Sequence, residues 1–289
     1  MRYLITGANG MLGTDLRAVL AGRDVTALAR TDLDVTDLEA VRAAVSGYDA
    51  VLNAAAYTRV DDAETNEDAA FAVNETGPRN LAIAAREAGA KLVTISTDYV
   101  FPGDATEPYA EDTPRDPINA YGRSKAAGEE AAIAEHPDGA FVVRTAWLYG
   151  ENGPNFAATM ARLSTAHPTV SVVSDQHGQP TWTFDLAQRI VELLDADAPA
   201  GVYHGTNAGR TTWHGFTQAI FEELGLDPER VLETDSSTFA RPAPRPAFSV
   251  LGHDGWSAAG LPPMRDWREA LHAAVAAGAV AVPPAPAAS

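Results

Sequence analysis

The stretch Tyr3-Leu-Ile-Thr-Gly-Ala-Asn-Gly-Met-Leu-Gly13 decides the fold of this chain. Its first four residues have the character of a short buried strand, and residues 14–20 have the composition of a helix. Between them lie three glycines in the pattern GxxGxxG, at Gly7, Gly10 and Gly13. Glycines at such a turn let the backbone approach a pyrophosphate, which lies on the helix N-terminus. An ordinary glycine turn is the alternative, but the position between strand and helix favours dinucleotide binding.

Predicted strands and helices alternate through residue 150. After the first strand, the segments 25–28, 33–35, 50–53, 91–96 and 141–144 have the composition of strands, and helical segments lie between them. This alternation is typical of the α/β class with a doubly wound parallel sheet of the Rossmann type. Ligands of such sheets bind beyond the carboxyl ends of the strands.

Beyond residue 150 the regular alternation breaks down, which predicts a smaller C-terminal substrate domain. We expect residues 1–150 and 170–207 to form the dinucleotide-binding domain. Residues 151–169 and 208–280 would form the substrate domain. The end, 281–289, is rich in Ala and Pro, and we predict a disordered tail there.

Composition excludes several classes of function. The 289 residues contain no cysteine, so disulfides and thiolate metal sites are excluded. The net charge of −18 argues against binding to nucleic acid and to anionic membranes. With no transmembrane run and no signal-peptide layout, we expect a cytoplasmic protein. The acidic surplus fits either life at high salt or a genome rich in G and C.

A second motif, Tyr121-Gly-Arg-Ser-Lys125, follows a plausible N-cap at Asn119. On a helix Tyr121 and Lys125 lie one turn apart on the same face. A neighbouring ammonium favours the phenolate, so we expect Lys125 to lower the pKa of Tyr121 toward the working range. Chance spacing is the alternative. Only Lys91 and Lys125 of the 21 basic residues are lysines, however, and arginine cannot replace a compact ammonium here.

The end of the second predicted strand bears on cofactor choice. NAD-specific sites place Asp or Glu there to hold the ribose 2′-OH, whereas this strand ends in Ala29-Arg30. Arg30 could hold a 2′-phosphate, which favours NADPH, with NADH also possible. A solvated surface arginine is the alternative for Arg30.

Longer motifs resemble those of a known family, the extended short-chain dehydrogenases/reductases, and within it the dTDP-4-dehydrorhamnose reductases. The glycine turn and the Tyr-Lys pair indicate only the superfamily. Four other segments mark the resemblance, which runs from residue 1 to about 251, and the parts 96–101 and 176–181 of two of them are far more specific. These segments are Asn53-Ala-Ala-Ala-Tyr-Thr-Arg-Val-Asp-Asp-Ala-Glu64, Ser96-Thr-Asp-Tyr-Val-Phe-Pro-Gly103, Arg144-Thr-Ala-Trp-Leu-Tyr149 and Asp175-Gln-His-Gly-Gln-Pro-Thr181.

The resemblance implies NADPH-dependent reduction of the C4 keto group of dTDP-4-dehydro-L-rhamnose to dTDP-L-rhamnose. It implies that Thr97 would hydrogen-bond the substrate carbonyl, that Tyr121 would donate the proton and that Lys125 would hold the nicotinamide ribose. Asp98 and Trp147 would contact the sugar, together with Thr97. It implies that Gly10, Met11 and Leu12 would cover the pyrophosphate, that Asp34 and Val35 would contact the adenine, and that Ala56, Tyr57 and Thr58 would line the cofactor. To these cofactor-binding residues the glycine turn adds Gly7 and Gly13, the end of the second strand adds Arg30, and the second motif adds Tyr121 and Lys125.

Some members of this group bind Mg²⁺ through acidic side chains at a dimer contact. This chain has Asp15 where those members have a glutamate, so we predict no metal site and leave monomer and homodimer open. Three other functions are weighed. A 4,6-dehydratase needs a glutamate after the Thr-Asp pair, where Tyr99 stands. A 4-ketoreductase or epimerase of another nucleotide deoxysugar shares the motifs. A non-catalytic NADP-binding regulatory subunit would not need the set of Thr97, Tyr121 and Lys125.

Overall fold

The structure is a computed structural model that describes residues 1–239 and 241–282. Most of the predicted tail, residues 283–289, lies outside the described residues. Six strands form the central sheet: β1 (Arg2–Thr6), β2 (Asp24–Leu28), β3 (Ala50–Asn53), β4 (Lys91–Thr97), β5 (Ala140–Thr145) and β10 (Gly201–His204). The other strands are β6 (Leu148–Tyr149), β7 (Val170–Val173), β8 (His177–Gly178), β9 (Thr181–Trp182), β11 (Thr211–Thr212) and β12 (Val231–Thr234).

Helices connect the strands of the sheet and build a second layer beyond it. They are α1 (Met11–Val19), α2 (Leu38–Val45), α3 (Val60–Ala63), α4 (Glu67–Phe71), α5 (Gly77–Ala88), α6 (Ala120–Glu135), α7 (Phe156–Ala166), α8 (Thr183–Asp195), α9 (Trp213–Glu223), α10 (Asp254–Ala258) and α11 (Trp267–Ala276). A π-helical turn, Ala72–Thr76, joins α4 to α5, and a 3₁₀ turn, Asp98–Val100, follows β4.

The central sheet confirms the predicted doubly wound parallel architecture. Its strand order is β10-β5-β4-β3-β1-β2, and every neighbouring pair is parallel. Strand β2 lies on one side of β1, and β3 and the later strands lie on the other side, so the direction of the strand order reverses between β2 and β3. The carboxyl ends of β1 and β3 therefore border the crevice in which such sheets bind dinucleotides.

The strand predicted at 33–35 is wrong. These residues form no strand, because Asp34 closes a turn instead. Its carboxylate accepts hydrogen bonds from the Thr36 amide at 2.9 Å and the Thr36 hydroxyl at 2.8 Å. Asx turns of this kind compete with extended pairing.

Alternate residues of the sheet strands enter opposite cores. Ile5 faces the core made with α1, α8 and α10, and the preceding Leu4 faces the core made with α2, α5 and α6. Leu52 and Val51 divide in the same way. Burial on both faces explains why these strands are continuously apolar rather than alternating.

A separate hydrophobic cluster, here called the second core, lies among α7, α9, α11, β7 and β12. Phe216, Ile220 and Leu271 are fully buried in it. Residues 170–207 were predicted to belong with the central sheet. Strand β10 and helix α8 of this range do pack there. Strand β7, however, pairs with β12 and takes no part in the central sheet. The predicted division into two domains stays a proposal. Over the described residues, no helix is long and apolar enough to cross a membrane.

The excess of carboxylates leads to a prediction about salt. Arginines already take acidic partners at the surface, as Arg42 does with Glu39 and Glu87, yet the net charge remains −18. The remaining carboxylates repel one another over a Debye length of ~30 Å at 0.01 M salt and ~3 Å at 1 M. We therefore expect the melting temperature to rise in a KCl series from 0.01 M to 1 M. A flat or falling series would show that base composition alone explains the acidic residues.

Candidate active site

The glycine turn after β1 fits a phosphate. Gly7 has φ +70°, and a Cβ there would lie 2.5 Å from the backbone nitrogen of Ala55. A Cβ at Gly13 would lie 2.3 Å from the Gly7 carbonyl oxygen, so α1 packs directly on the turn. Gly10 caps α1 without a side-chain hydrogen bond, and the first turn contains no acid. The first amides of α1, which begins at Met11, are therefore available to an anion.

The residues predicted to contact the adenine and the 2′-phosphate follow β2, the strand that pairs with β1. Arg30 and Asp34 are exposed, and hydrogen bonds from Thr36 lower the pKa of Asp34, assisted by Arg30. Val35 is buried in the core, where its side chain would contact any Cβ at Gly77. Leu12 and Gly13 are buried as well, so they can offer only backbone to a ligand.

Sequence reasoning missed an acidic residue at the end of β2. Asp32 turns back, and its carboxylate accepts a hydrogen bond from the Ala29 amide at 2.9 Å. The Asp32 carboxylate therefore lies close to the end of β2, although no acidic residue follows the strand directly. Asp32 follows Ala29 by three residues, a spacing at which an aspartate can close a tight turn. This spacing can be recognised only after the end of β2 is known.

The loop after β3 is fastened to α6 by an asparagine that the sequence did not single out. Asn74, in the π-helical turn, accepts from the Tyr57 amide at 2.8 Å and donates to the Tyr57 carbonyl at 3.0 Å. Its amide group also donates to the Ser124 hydroxyl at 3.0 Å. Ala56 and Tyr57 are half-buried and Thr58 is exposed, so this loop borders the crevice. π-Helical turns of this kind occur often at functional sites.

The cap predicted at Asn119 is confirmed, and it starts α6 at the Tyr-Lys motif. The Asn119 side chain accepts from the Gly122 amide at 2.7 Å. The half-buried Tyr121 ring meets the Tyr99 ring edge-on, with ring centres 6.0 Å apart. Lys125 is 5% exposed, and its ammonium donates to the carbonyl of Ile95 on β4. Burial lowers the pKa of Lys125 to about 8, against an opposing effect of the Glu129 carboxylate.

The prediction that Lys125 lowers the pKa of Tyr121 is wrong for this structure. Burial raises the pKa of Tyr121 above its usual value, and the charge of Asp98 adds to the rise. A hydrogen bond with Thr97 opposes it. The Lys125 ammonium is directed to a backbone carbonyl instead. Tyr121 therefore keeps its proton at neutral pH, as a proton donor must.

Thr97 and Asp98 form a hydrogen-bonded pair at the end of β4. The Thr97 hydroxyl donates to the Asp98 carboxylate at 2.9 Å and accepts from the Tyr99 amide at 3.2 Å. Asp98 is 3% exposed, and burial raises its pKa to about 6, against hydrogen bonds that include those of Ser249 and Thr97. The structure thus brings Thr97, Asp98 and Tyr121 together, and Lys125 follows Tyr121 by one turn of α6.

A buried ion pair lies one helical turn beyond Lys125. The Arg144 guanidinium from β5 donates to both oxygens of Glu129, at 2.9 and 2.8 Å. Both side chains are almost fully buried, and the guanidinium lies 5.0 Å from the centre of the Phe101 ring. This pair joins α6 to the sheet directly behind the motif.

Trp147 lies two residues beyond β5 at the same edge of the sheet, because Thr145 pairs with Thr97. Next to it a cavity of about 630 Å³ reaches Tyr99. The cavity has apolar walls from the second core and two arginines, Arg241 and Arg245. Asp61 of α3 holds both arginines, at 3.4 and 2.9 Å. Nothing in the sequence indicates this contact between residues 180 positions and more apart.

Asp15, which stands at the position relevant to a metal in some members, is buried against α8. Burial raises the pKa of its carboxyl, and the Thr183 hydroxyl opposes the rise. Within residues 1–239 and 241–282 no cluster of three His, Asp or Glu side chains could hold a metal ion.

Comparisons with known proteins agree on one family. The model of the RmlD substrate binding domain family matches residues 1–280. The chain is 53% identical to dTDP-4-dehydrorhamnose reductase of Streptomyces griseus, over 93% of this chain and 91% of the relative. It is 50% identical to dTDP-4-keto-6-deoxy-D-glucose reductase of Streptomyces niveus, over 93% of this chain and 95% of the relative.

A solved structure extends this agreement to three dimensions. The dTDP-4-dehydrorhamnose reductase of Bacillus anthracis in complex with NADP superposes with a TM-score of 0.91 and 39% identity, covering 96% of this chain and 99% of that chain. The match therefore includes the central sheet and the second core alike. On these grounds the chain belongs to the RmlD substrate binding domain family.

Proposed function

We propose that this chain uses NADPH to reduce the C4 keto group of dTDP-4-dehydro-L-rhamnose, giving dTDP-L-rhamnose. The observation that carries the proposal is the convergence of Thr97, Tyr121 and Lys125 beside a cavity that contains two arginines. A reductase of this name at 53% identity supports the choice of substrate.

The glycine turn and its surroundings would hold the dinucleotide. The free amides at the start of α1 suit the pyrophosphate, and the exposed Arg30 suits a 2′-phosphate. When bound, NADPH supplies the hydride that is added to C4. Lys125, cationic at neutral pH because its pKa is about 8, is placed to hold the nicotinamide ribose. The Bacillus anthracis relative, solved with NADP, supports this cofactor.

Tyr121 would supply the proton that the sugar oxygen needs. Its raised pKa keeps the phenol protonated at neutral pH, and the proton passes to O4 as negative charge develops there. Thr97 would hydrogen-bond the same oxygen by turning its hydroxyl, which donates to Asp98 in this structure, toward the substrate. Asp98 would then accept a hydrogen bond from a hydroxyl group of the sugar.

The cavity suits the nucleotide half of the substrate. Arg241 and Arg245 can bind a diphosphate through charge-assisted hydrogen bonds, and the apolar side chains of Phe156 and Met160 can contact a base. Tyr99 lines the cavity and also contacts Tyr121, so a nucleotide held there directs its sugar toward the proton donor.

Turnover assays test the proposal. Purified protein should oxidise NADPH when given dTDP-4-dehydro-L-rhamnose, and the product should be dTDP-L-rhamnose. Activity with dTDP-4-keto-6-deoxy-D-glucose alone would instead support a 4-ketoreductase of another deoxysugar, which the Streptomyces niveus relative favours as the second candidate. NADPH binding without oxidation by any keto sugar would support the non-catalytic alternative.

Arg30 provides a prediction about cofactor choice. We expect a lower Kd for NADPH than for NADH, and we expect Arg30→Ala to narrow the gap, since a charge-assisted contact contributes about 1.5–3 kcal/mol. Asp32 nearby would favour the ribose hydroxyl of NADH and so limits the gap. The control is Arg17→Ala, which removes an exposed arginine from the far end of α1. Equal affinities of the unmutated protein for both cofactors would contradict the role of Arg30.

We further propose that the protein acts in the cytoplasm on a small-molecule nucleotide sugar, as a monomer or a homodimer. Light scattering at several protein concentrations distinguishes the two assembly states, and cell fractionation tests the location.

A further inference from the structure

The backbone of Trp147 has an uncommon conformation. Its φ is +46°, and among the described non-glycine residues only Asp197 shares a positive φ. A bulky side chain rarely adopts this conformation, which persists only where its surroundings hold it. Trp147 lies at the carboxyl edge of the sheet, beside the proposed sugar position. Its neighbours should therefore explain how the indole is held.

Two contacts hold the indole of Trp147. The Trp213 ring is stacked on it, with ring centres 3.5 Å apart and planes 9° from parallel. Gly178 is also in contact, because a Cβ there would lie 2.5 Å from Cε2 of Trp147. Gly178 on β8 pairs with Thr211 on β11, and Trp213 begins α9 two residues later. A single two-stranded ribbon therefore carries both contacts.

The stack continues toward the cavity. The Phe156 ring packs on Trp213 with ring centres 4.4 Å apart, and both side chains line the cavity. Trp147, Trp213 and Phe156 thus form an aromatic row from the end of β5 to the proposed nucleotide position. All three side chains pack against the second core, and Trp213 is the member that contacts both of the others.

We propose that Trp213 is a positioning residue, which holds the Trp147 indole against the sugar and so sets the KM for the nucleotide sugar. The kinetic half of this inference rests on the proposed function. Trp213 also lines the cavity, and Gly178→Ala, which leaves Trp213 intact, separates its action through Trp147 from a direct contact with the nucleotide. Its loss should therefore weaken sugar binding and leave proton transfer and NADPH binding in place.

The test is Trp213→Leu, with Trp267→Leu as the matched control. Trp267 is also a tryptophan, also the first residue of its helix, and also partly buried in the second core, where it contacts Phe216. Stacked indoles whose in-plane transition moments lie at an angle to each other give an exciton couplet in the circular dichroism spectrum. Trp213→Leu should abolish the couplet and raise the KM for the nucleotide sugar ~3–10-fold, the effect expected of an aromatic pair. The kcat and the Kd for NADPH should change little, and Trp267→Leu should retain the couplet and the KM.

A second variant moves the same indole from a different direction. Gly178→Ala inserts a methyl group against Trp147 and leaves Trp213 intact, so it should raise KM in the same way. An unchanged KM in either variant, despite loss of the couplet, would overturn the inference. A couplet that survives Trp213→Leu would also overturn it. If the unmutated protein fails to oxidise NADPH with any keto sugar, the proposed function is wrong. Loss of the couplet in both Trp147→Leu and Trp213→Leu would even then support the inference that Trp213 positions Trp147.

Discussion

Tyr121→Phe should lose about 10²–10⁴-fold in kcat while binding NADPH as tightly as the unmutated protein, because a general acid contributes about that factor. The phenyl ring keeps the edge-on contact with Tyr99 and the packing around Ala63 and Ala120. Only the proton is removed. Since the pKa of Tyr121 is raised, the unmutated phenol is protonated across the neutral range, and the loss should be similar at every neutral pH.

The measurement is single-turnover NADPH oxidation, with cofactor affinity determined separately by titration. Tyr203→Phe is the control. It removes a phenol that donates to the Pro199 carbonyl beside β10, and we expect kcat to be unchanged. If Tyr121→Phe keeps more than about a tenth of the kcat, the proton has another source. A large loss of NADPH affinity would instead assign Tyr121 to cofactor binding.

Glu129→Ala should cause the largest loss of stability among the charge deletions considered. It leaves the Arg144 guanidinium buried without its carboxylate, and breaking a buried pair in this way costs about 3–5 kcal/mol. For a chain of this size that loss lowers the melting temperature by ~10 °C. The Phe101 ring beside Arg144 cannot accept the hydrogen bonds that Glu129 provides.

Glu67→Ala is the control for Glu129→Ala. Glu67 on α4 pairs with Arg123 on α6, so this ion pair also involves α6, but its side chains are exposed to solvent. Exposed pairs contribute little, so the melting temperature should stay nearly unchanged. Thermal unfolding of the three proteins in one buffer decides the matter. Equal shifts for the two variants would show that the buried pair adds nothing beyond a surface pair.

Local signals explain what could be predicted from the sequence. The glycine turn, the Asn119 cap and the continuously apolar strands each depend on neighbouring residues, and each is confirmed in the structure. The segment 33–35 shows the limit of such signals. Its apolar residues suggested a strand, but the Asp34 side chain closes a turn that the pattern of apolar residues does not reveal.

Contacts between distant residues explain most of what could not be predicted. The pKa of Tyr121 depends on burial and on Asp98, and neither can be read from the spacing of a tyrosine and a lysine. The Asp61–Arg245 pair and the stack of Trp147 on Trp213 require knowledge of how the second core meets the sheet. The pairing of β7 with β12 could not be predicted for the same reason, because it joins strands that are far apart in the sequence.

The cavity wall and the proton-transfer groups come from different parts of the chain, and this has an evolutionary consequence. Among the described residues, every cavity-lining residue except Tyr99 follows residue 150, whereas Thr97, Tyr121 and Lys125 precede it. Substitutions after residue 150 can therefore change the nucleotide base that is accepted, while the sugar contacts and the chemistry are inherited intact. A duplicated gene would need to diverge in only one half to acquire a new substrate.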